Sequence, residues 1–157
     1  MANVYILNLK DNRENHDKND DTKFTTCMRN GIISIGWGSE ESRESSAYKT
    51  AINKFNEMKK GDLVWTKNPK TKSKFYLLEV VDDEGYDYFE NEKEYYIHED
   101  KSFARRIRKI ESFSAENLPN GLTKKDIVAR RTAERVHREF LINATLKIAK
   151  KEKENKK

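Results

Sequence analysis

Hydrophobic residues in this chain fall into short runs separated by long polar stretches, and their spacing differs from run to run. Runs of four to eight residues rich in β-branched and aromatic side chains predict strands. Apolar residues recurring three and four positions apart predict amphipathic helices. The predicted strands cover residues 4–9, 32–37, 63–66, 74–81 and 86–89, and the predicted helices cover 23–30 and 47–60.

The longest helical pattern begins at Thr123 and continues to about Lys151. Thr123 is a suitable N-cap, and Asp126 follows at the third helical position as in a capping box. The sequence therefore predicts a long, basic C-terminal helix after a mixed α and β region.

Composition limits the class of protein. The chain has 157 residues, of which 38% are charged and 35% hydrophobic, and 16 Phe, Tyr and Trp side chains supply most of the bulk for one modest core. No apolar run approaches the roughly 20 residues that a membrane helix needs, and residues 1–20 do not resemble a signal peptide. The single Cys27 excludes an intrachain disulfide and fits a reducing compartment, so we expect a cytoplasmic protein.

The net charge of +5 is divided unevenly along the chain. Residues 1–100 hold 15 Lys and Arg against 20 Asp and Glu, whereas residues 101–157 hold 17 against 7. The C-terminal third is therefore the natural place for a phosphate backbone to bind. The alternative is a solvated helix followed by a lysine-rich tail, and this is our expectation for residues 150–157.

Two tryptophans close neighbouring strand-like runs. Trp37 ends the run that begins at Ile32, and Trp65 ends the sequence Gly-Asp-Leu-Val-Trp. Indole rings at the ends of adjacent strands form a flat surface that can stack a planar ligand such as a nucleobase. From the residues alone, packing in the core is the more common role for both.

The order of these motifs resembles the PUA-like superfamily, and within it the EVE-like modified-base-sensing domains of modification-dependent restriction proteins. The resemblance rests on Gly31-Ile-Ile-Ser-Ile-Gly-Trp37, an amphipathic helix, Gly61-Asp-Leu-Val-Trp65 and Tyr76-Leu-Leu-Glu-Val-Val81, and covers roughly residues 3–122. It implies an α+β fold, a pseudo-barrel of five or six strands with flanking helices. Residues 103–113 have a helical spacing of Ile107 and Ile110, but the implied barrel favours a strand, which is our prediction. The expected division is 1–122 for the EVE-like domain, 123–151 for the basic helix and 152–157 for a disordered tail.

Several members of this superfamily extrude a base from the duplex into a pocket lined by aromatic residues. The resemblance implies that Trp37 and Trp65 are pocket walls and that Ser34 and Asn68 contact the base edge. Tyr86 is a weaker candidate for the same pocket, because its position on a strand face equally suits a packed surface. The expected phosphate contacts come from basic residues of the hairpin loop, the strand and the C-terminal helix: Lys67, Lys70 and Lys72; Arg105, Arg106, Arg108 and Lys109; Arg130 and Arg131. The alternative for these cations is ordinary solvent exposure or salt bridges to the acidic half.

Catalysis has little support in the sequence. His16, His98 and His137 lie far apart without metal-ligand spacing, and there is no Gly-rich phosphate loop. We therefore expect no enzyme activity, no cofactor and no metal. The sequence predicts a nucleic-acid-binding reader of a modified base, with methylated DNA favoured and base flipping as its mode, and a place in a restriction or defence system. The alternatives are an RNA-binding PUA-like module, and a regulatory domain that forms a homodimer through its C-terminal helix or joins a partner effector protein.

Overall fold

The computed structural model describes residues 2–9, 22–35, 46–71, 73–89, 101–128 and 133–155. Over these residues it is an α+β fold in which three helices pack against a curled sheet. The strands are β1 Val4–Leu7, β2 Ile32–Ile35, β3 Leu63–Lys67, β4 Lys74–Val80, β5 Tyr86–Phe89, β6 Lys101–Ser114 and β7 Ala133–Arg135. The helices are α1 Thr22–Asn30, α2 Ser46–Glu57 and α3 Glu139–Asn155, with short 3₁₀ turns at Ala115–Asn117 and Lys124–Ile127.

The long strand β6 organises the sheet. The strand order is β2-β6-β4-β3-β1-β7, with β5 also paired to β6. Ala104 is opposite Ser34 of β2 and also opposite Tyr86 of β5, so these two short strands flank opposite edges of β6. The remainder of β6 pairs with β4 through a bulge at Leu77/Leu78. Strands β1 and β3 pair in parallel, and every other described pair is antiparallel.

Successive side chains of the central strands enter two different cores. In β3, Val64 belongs to the core beneath α1 and α2, whereas Leu63 and Trp65 belong to the core beneath α3. Alternation of side chains along a strand requires this division. Strands covered on both faces are apolar at nearly every position, which explains why β1 and most of β3 are continuously buried.

Most of the predicted elements are confirmed. The predicted strands 4–9, 32–37, 63–66, 74–81 and 86–89 correspond to β1–β5, and the predicted helices correspond to α1 and α2. The strand prediction for residues 103–113 is also confirmed, because β6 runs over Lys101–Ser114. Gly31 follows α1 with φ of 65°, as expected for the residue after a helix end.

The prediction of one continuous helix from Thr123 to Lys151 is wrong. Thr123 and Asp126 do form the predicted capping box, but it begins only a 3₁₀ turn. Strand β7 then pairs with β1, and α3 begins at Glu139 and continues to Asn155, into the predicted tail. The physical reason is that β1 has an open edge whose backbone groups need partners. Since β7 and α3 complete the sheet and the second core, the predicted boundary at residue 122 does not separate two packing units.

The α+β class and the curled sheet agree with the predicted fold, while the PUA-like pseudo-barrel remains a prediction. None of the helices that the structure describes is long and apolar enough to cross a membrane.

Candidate functional site

Trp65 is a core residue and not a pocket wall. Its side chain has no exposed surface, and its indole Nε1–H donates to Oγ1 of Thr145 in α3 at 2.9 Å. The ring of Phe113 packs against the indole with a centroid separation of 5.9 Å. The prediction that Trp65 stacks a base is therefore wrong, because the indole is buried between the sheet and α3.

Ser34 is also enclosed. Its side chain is 1% exposed, and its Oγ lies 3.4 Å from Sγ of Cys27 in α1. The sequence prediction placed Ser34 at a base edge, but in this structure the residue joins β2 to α1. Cys27 is a small, buried side chain.

Arg105 is fully buried and serves the fold. Its guanidinium pairs with the carboxylate of Asp82 at 2.8 Å and donates to the carbonyl oxygens of Phe55 and Met58 at the C-terminal end of α2. A cation at this end of a helix is favoured by the helix dipole, and a buried charge is tolerated only when it is paired and hydrogen-bonded. Arg105 is thus not available to a phosphate, and its prediction as a phosphate contact is wrong.

Arg108 is largely committed to carboxylates. Its Nε lies 2.6 Å from Oε1 of Glu79, and its Nη2 lies 3.0 Å from Oε1 of Glu152 in α3. The hydrogen bonds that Arg108 donates to Glu152 and Glu79 raise the pKa of Arg108, with burial opposing them. The guanidinium links β4, β6 and α3, so its charge is already neutralised.

Tyr86 and Arg106 lie together at the β5 edge. The guanidinium carbon of exposed Arg106 is 5.0 Å from the centroid of the Tyr86 ring, a cation–π contact. Burial raises the pKa of Tyr86, and the nearby Arg106 charge acts in the opposite direction. Oδ2 of Asp82 accepts the backbone N–H of Arg106 at 2.8 Å, which fixes the strand at this point.

A groove of about 620 Å³ lies between α1, the end of β3 and the middle of β4 and β6. Its size is within the range of about 300–1,000 Å³ that is typical of small-molecule sites. We call it the Tyr76 groove. Its lining consists of Phe24, Thr25, Met28, Arg29, Gly31, Asn68, Tyr76, Ile107, Arg108 and Lys109.

Tyr76 is the aromatic centre of the groove. Its half-buried ring contacts Phe24 with a centroid separation of 5.1 Å and an interplanar angle of 53°. The ammonium nitrogen of Lys74 lies 5.6 Å from the ring centroid, and that of Lys109 lies 5.9 Å from it. Two exposed cations therefore flank one partly accessible aromatic ring.

The electrostatic character of the Tyr76 groove distinguishes it from two other cavities. Among the described residues, its lining contains no Asp or Glu. A cavity of about 650 Å³ between β6 and α3 includes Glu111 and Glu152, and one of about 600 Å³ beside β7 includes Asp126 and Glu134. Only the Tyr76 groove, of these three, combines a basic rim with a lining free of carboxylates.

The predicted hairpin-loop residues are divided between two faces. Asn68 lines the Tyr76 groove, and its Oδ1 accepts the backbone N–H of Lys70 at 2.8 Å, so the side chain also shapes the turn. Lys70 is exposed in the same turn. Lys67 lies on the same face of β3 as Trp65, because alternate residues of a strand lie on one face. The opposite face of β3 carries Thr66 and faces the core beneath α1 and α2.

The structure thus brings Asn68, Arg108 and Lys109 together and separates them from Tyr86 and Arg106. The predictions for Trp37, Lys72, Arg130 and Arg131 lie outside the described residues. Tyr76 and Phe24 were not predicted from the sequence as members of one site. The available signal was the alternation of Lys74 and Tyr76, which places both side chains on one face of β4.

Three comparisons with known proteins leave the family open. No family model matches the chain, and no curated protein matches it. Among solved structures, the chain is similar to protein Atu2648 from Agrobacterium tumefaciens, with 13% identity, a TM-score of 0.44, and coverage of 94% of this chain and 93% of that one.

In the part of the chain that the structure describes, no three His, Cys, Asp or Glu side chains are grouped as they would be around a metal ion.

Proposed function

We propose that this domain binds nucleic acid at the Tyr76 groove. The observation that carries the proposal is the Tyr76 ring flanked by the ammonium groups of Lys74 and Lys109. Proteins that hold unpaired nucleotides combine aromatic rings, which stack bases, with cations that follow the backbone. The absence of carboxylates from the described lining of the groove supports an anionic ligand.

In this proposal the roles are divided by residue type. The Tyr76 ring stacks a base, worth about 1–3 kcal/mol. Lys74, Lys109 and Lys70 contact phosphates, and Asn68 faces the base edge. The basic C-terminal third adds longer-range attraction.

Recognition of a modified base, with methylated DNA as the favoured target, is the finer part of the proposal. A methyl group adds about 1–3 kcal/mol of discrimination in an apolar pocket. Phe24, Met28 and Ile107 supply apolar surface in the groove. Trp37 remains the sequence-based choice for a stacking residue and lies outside the described residues.

Titration of fluorescent oligonucleotides tests the proposal. Single-stranded DNA, duplex DNA and RNA are compared, each with 5-methylcytosine, 5-hydroxymethylcytosine, N6-methyladenine or no mark. Tyr76→Ala is expected to weaken binding about 5- to 150-fold, and Tyr76→Phe, which keeps the ring, is expected to retain it. If the wild-type protein binds none of these probes, or if Tyr76→Ala binds as well as Tyr76→Phe, the proposal is wrong.

Salt dependence separates phosphate contacts from general charge. The double variant Lys74→Gln/Lys109→Gln removes two cations beside Tyr76, and Lys124→Gln/Lys125→Gln removes two exposed cations elsewhere. If both groove lysines contact phosphates, the slope of log affinity against log salt falls by about 1.4–1.8 in the first variant. The control variant is expected to keep the wild-type slope.

The competing hypothesis is dimerisation through the C-terminal helix. Helix α3 leaves less exposed apolar surface for such a dimer than the sequence suggested. The apolar side chains Leu141, Ala144 and Ile148 of α3 are buried inside the domain. Phe140 is the one large hydrophobic side chain of α3 that is mostly exposed, at 53%. Sedimentation of wild type against Phe140→Ser at matched concentrations tests this alternative.

A further inference from the structure

Thr66 carries a buried hydroxyl that the fold does not satisfy. The residue is 2% exposed, and its Oγ1 is buried with no hydrogen-bond partner; within the part of the chain that the structure describes, it is the one side-chain oxygen or nitrogen in this state. Buried polar groups are nearly always hydrogen-bonded, because an unpaired one costs free energy. An apolar residue of the same shape would avoid that cost, so the hydroxyl needs another explanation.

The position of Thr66 connects it to the Tyr76 groove. Thr66 is directly opposite Tyr76 in the pairing of β3 with β4. Alternation along β3 places Thr66 on the same face as Val64, which belongs to the core beneath α1. Asn68, two residues further on, lines the groove. The Thr66 side chain therefore lies beside Tyr76, the aromatic centre of the groove, on the same face of the sheet.

We propose that the Thr66 hydroxyl recognises the bound ligand, by forming a hydrogen bond with the polar edge of a planar base that enters beside Tyr76. This inference rests on the proposed nucleic-acid function and adds the residue that selects for a base with a hydrogen-bonding edge. A hydroxyl can both donate and accept, so it suits the amino or carbonyl groups that such an edge presents.

The binding event includes a movement of Tyr76. Because Oγ1 of Thr66 has no access to solvent, a side chain that covers it must shift for a ligand to reach it. In this proposal that side chain is Tyr76, the residue directly opposite Thr66 on β4. The ring is half-buried, and the contacts described above are with Phe24 and the two lysine ammonium groups. These non-covalent contacts can be exchanged for contacts with a base, which offers a comparable aromatic face.

An isosteric substitution tests the inference. A hydroxyl that binds the ligand and a hydroxyl that serves the fold would change stability and affinity in different ways when removed. Thr66→Val keeps the shape of the side chain and removes the unsatisfied group. We expect its thermal midpoint to rise by about 2–4 °C. We expect its affinity for the best oligonucleotide of the titration to fall about five- to tenfold, the loss of one hydrogen bond. Thr66→Ser, which keeps the hydroxyl, is expected to retain that affinity.

The outcomes are distinguishable from failure of the proposed function. If wild type binds and Thr66→Val binds equally well, the Thr66 role is overturned and the groove proposal stands. If Thr66→Val lowers the thermal midpoint, the hydroxyl is satisfied in the free protein and the inference is overturned. If wild type binds no oligonucleotide, the proposed function fails, and this inference fails with it. Weaker binding together with a higher midpoint supports the inference.

Discussion

The indole Nε1–H of Trp65 and the hydroxyl of Thr145 form a 2.9 Å hydrogen bond that joins β3 to α3 through the second core. The Thr145 hydroxyl in turn donates a hydrogen bond to the carbonyl oxygen of Leu141 at 2.7 Å. Every polar atom in this chain of contacts is paired, which is the condition for burying it. The arrangement explains why the helix that follows the predicted domain is an integral part of the fold.

Thr145→Val is expected to lower the free energy of unfolding by about 1–3 kcal/mol, because the buried indole N–H loses its acceptor. Chemical denaturation by urea gives the change directly. The matched comparison is Thr66→Val, where the same substitution removes an unpaired hydroxyl and is expected to stabilise. Equal effects of the two substitutions would show that hydrogen-bond satisfaction does not distinguish these sites.

Arg105 and Arg106 are neighbours in the sequence with opposite roles. Arg105→Met leaves the Asp82 carboxylate and the carbonyl oxygens at the end of α2 without their cation, and we expect a loss of about 3–5 kcal/mol of stability. Arg106→Met removes an exposed cation–π contact with Tyr86, for which we expect a loss of less than about 1 kcal/mol. Urea denaturation of both variants is the measurement. Comparable losses at the two positions would contradict the structural role assigned to Arg105.

Asp126 gives the stability a pH dependence at the acid end. Its pKa is lowered by the hydrogen bond from the Thr123 backbone, against desolvation, with further lowering by the Thr123 hydroxyl and by Arg138. The folded state holds the proton of Asp126 less tightly than the unfolded state does. The contribution of Asp126 to the free energy of unfolding is therefore complete above its unfolded pKa, about 3.9. It is lost as the pH falls through the lower folded value.

The variant Asp126→Ala measures this contribution. We expect it to cost about 1 kcal/mol near pH 7, as for loss of a capping side chain. The difference from wild type is expected to shrink below about pH 4 as the carboxyl group becomes protonated in the unfolded and then the folded state. Urea denaturation of both proteins between neutral pH and pH 3 follows the change. A difference that stays constant over that range would contradict the assigned origin of the pKa shift.

The sequence specified the strands and helices well because their patterns are local. Hydrophobic spacing located α1, α2 and β1–β5 without knowledge of their partners. The face of β3 on which Trp65 lies could not be predicted from this local spacing. Both faces of β3 are covered, so the apolar run is continuous and gives no sign of which core each side chain enters.

The C-terminal prediction failed for a non-local reason. Residues 133–135 form a strand because β1 is adjacent to them in space, and that neighbour lies more than a hundred positions earlier in the chain. The Tyr76 groove was likewise hidden. Phe24, Tyr76 and Lys109 come from α1, β4 and β6, and only the sheet pairing and the packing of α1 bring them together.

Photochemical crosslinking of a bound oligonucleotide, followed by mass-spectrometric mapping of the attached peptide, tests the central claim most directly. The probe is the tightest-binding oligonucleotide of the titration, with a photoreactive base at each position in turn. The account predicts attachment to the peptides that contain Tyr76 or Phe24, and loss of the Tyr76 attachment in Tyr76→Ala. Crosslinks found only on peptides away from α1, β4 and β6 would contradict it.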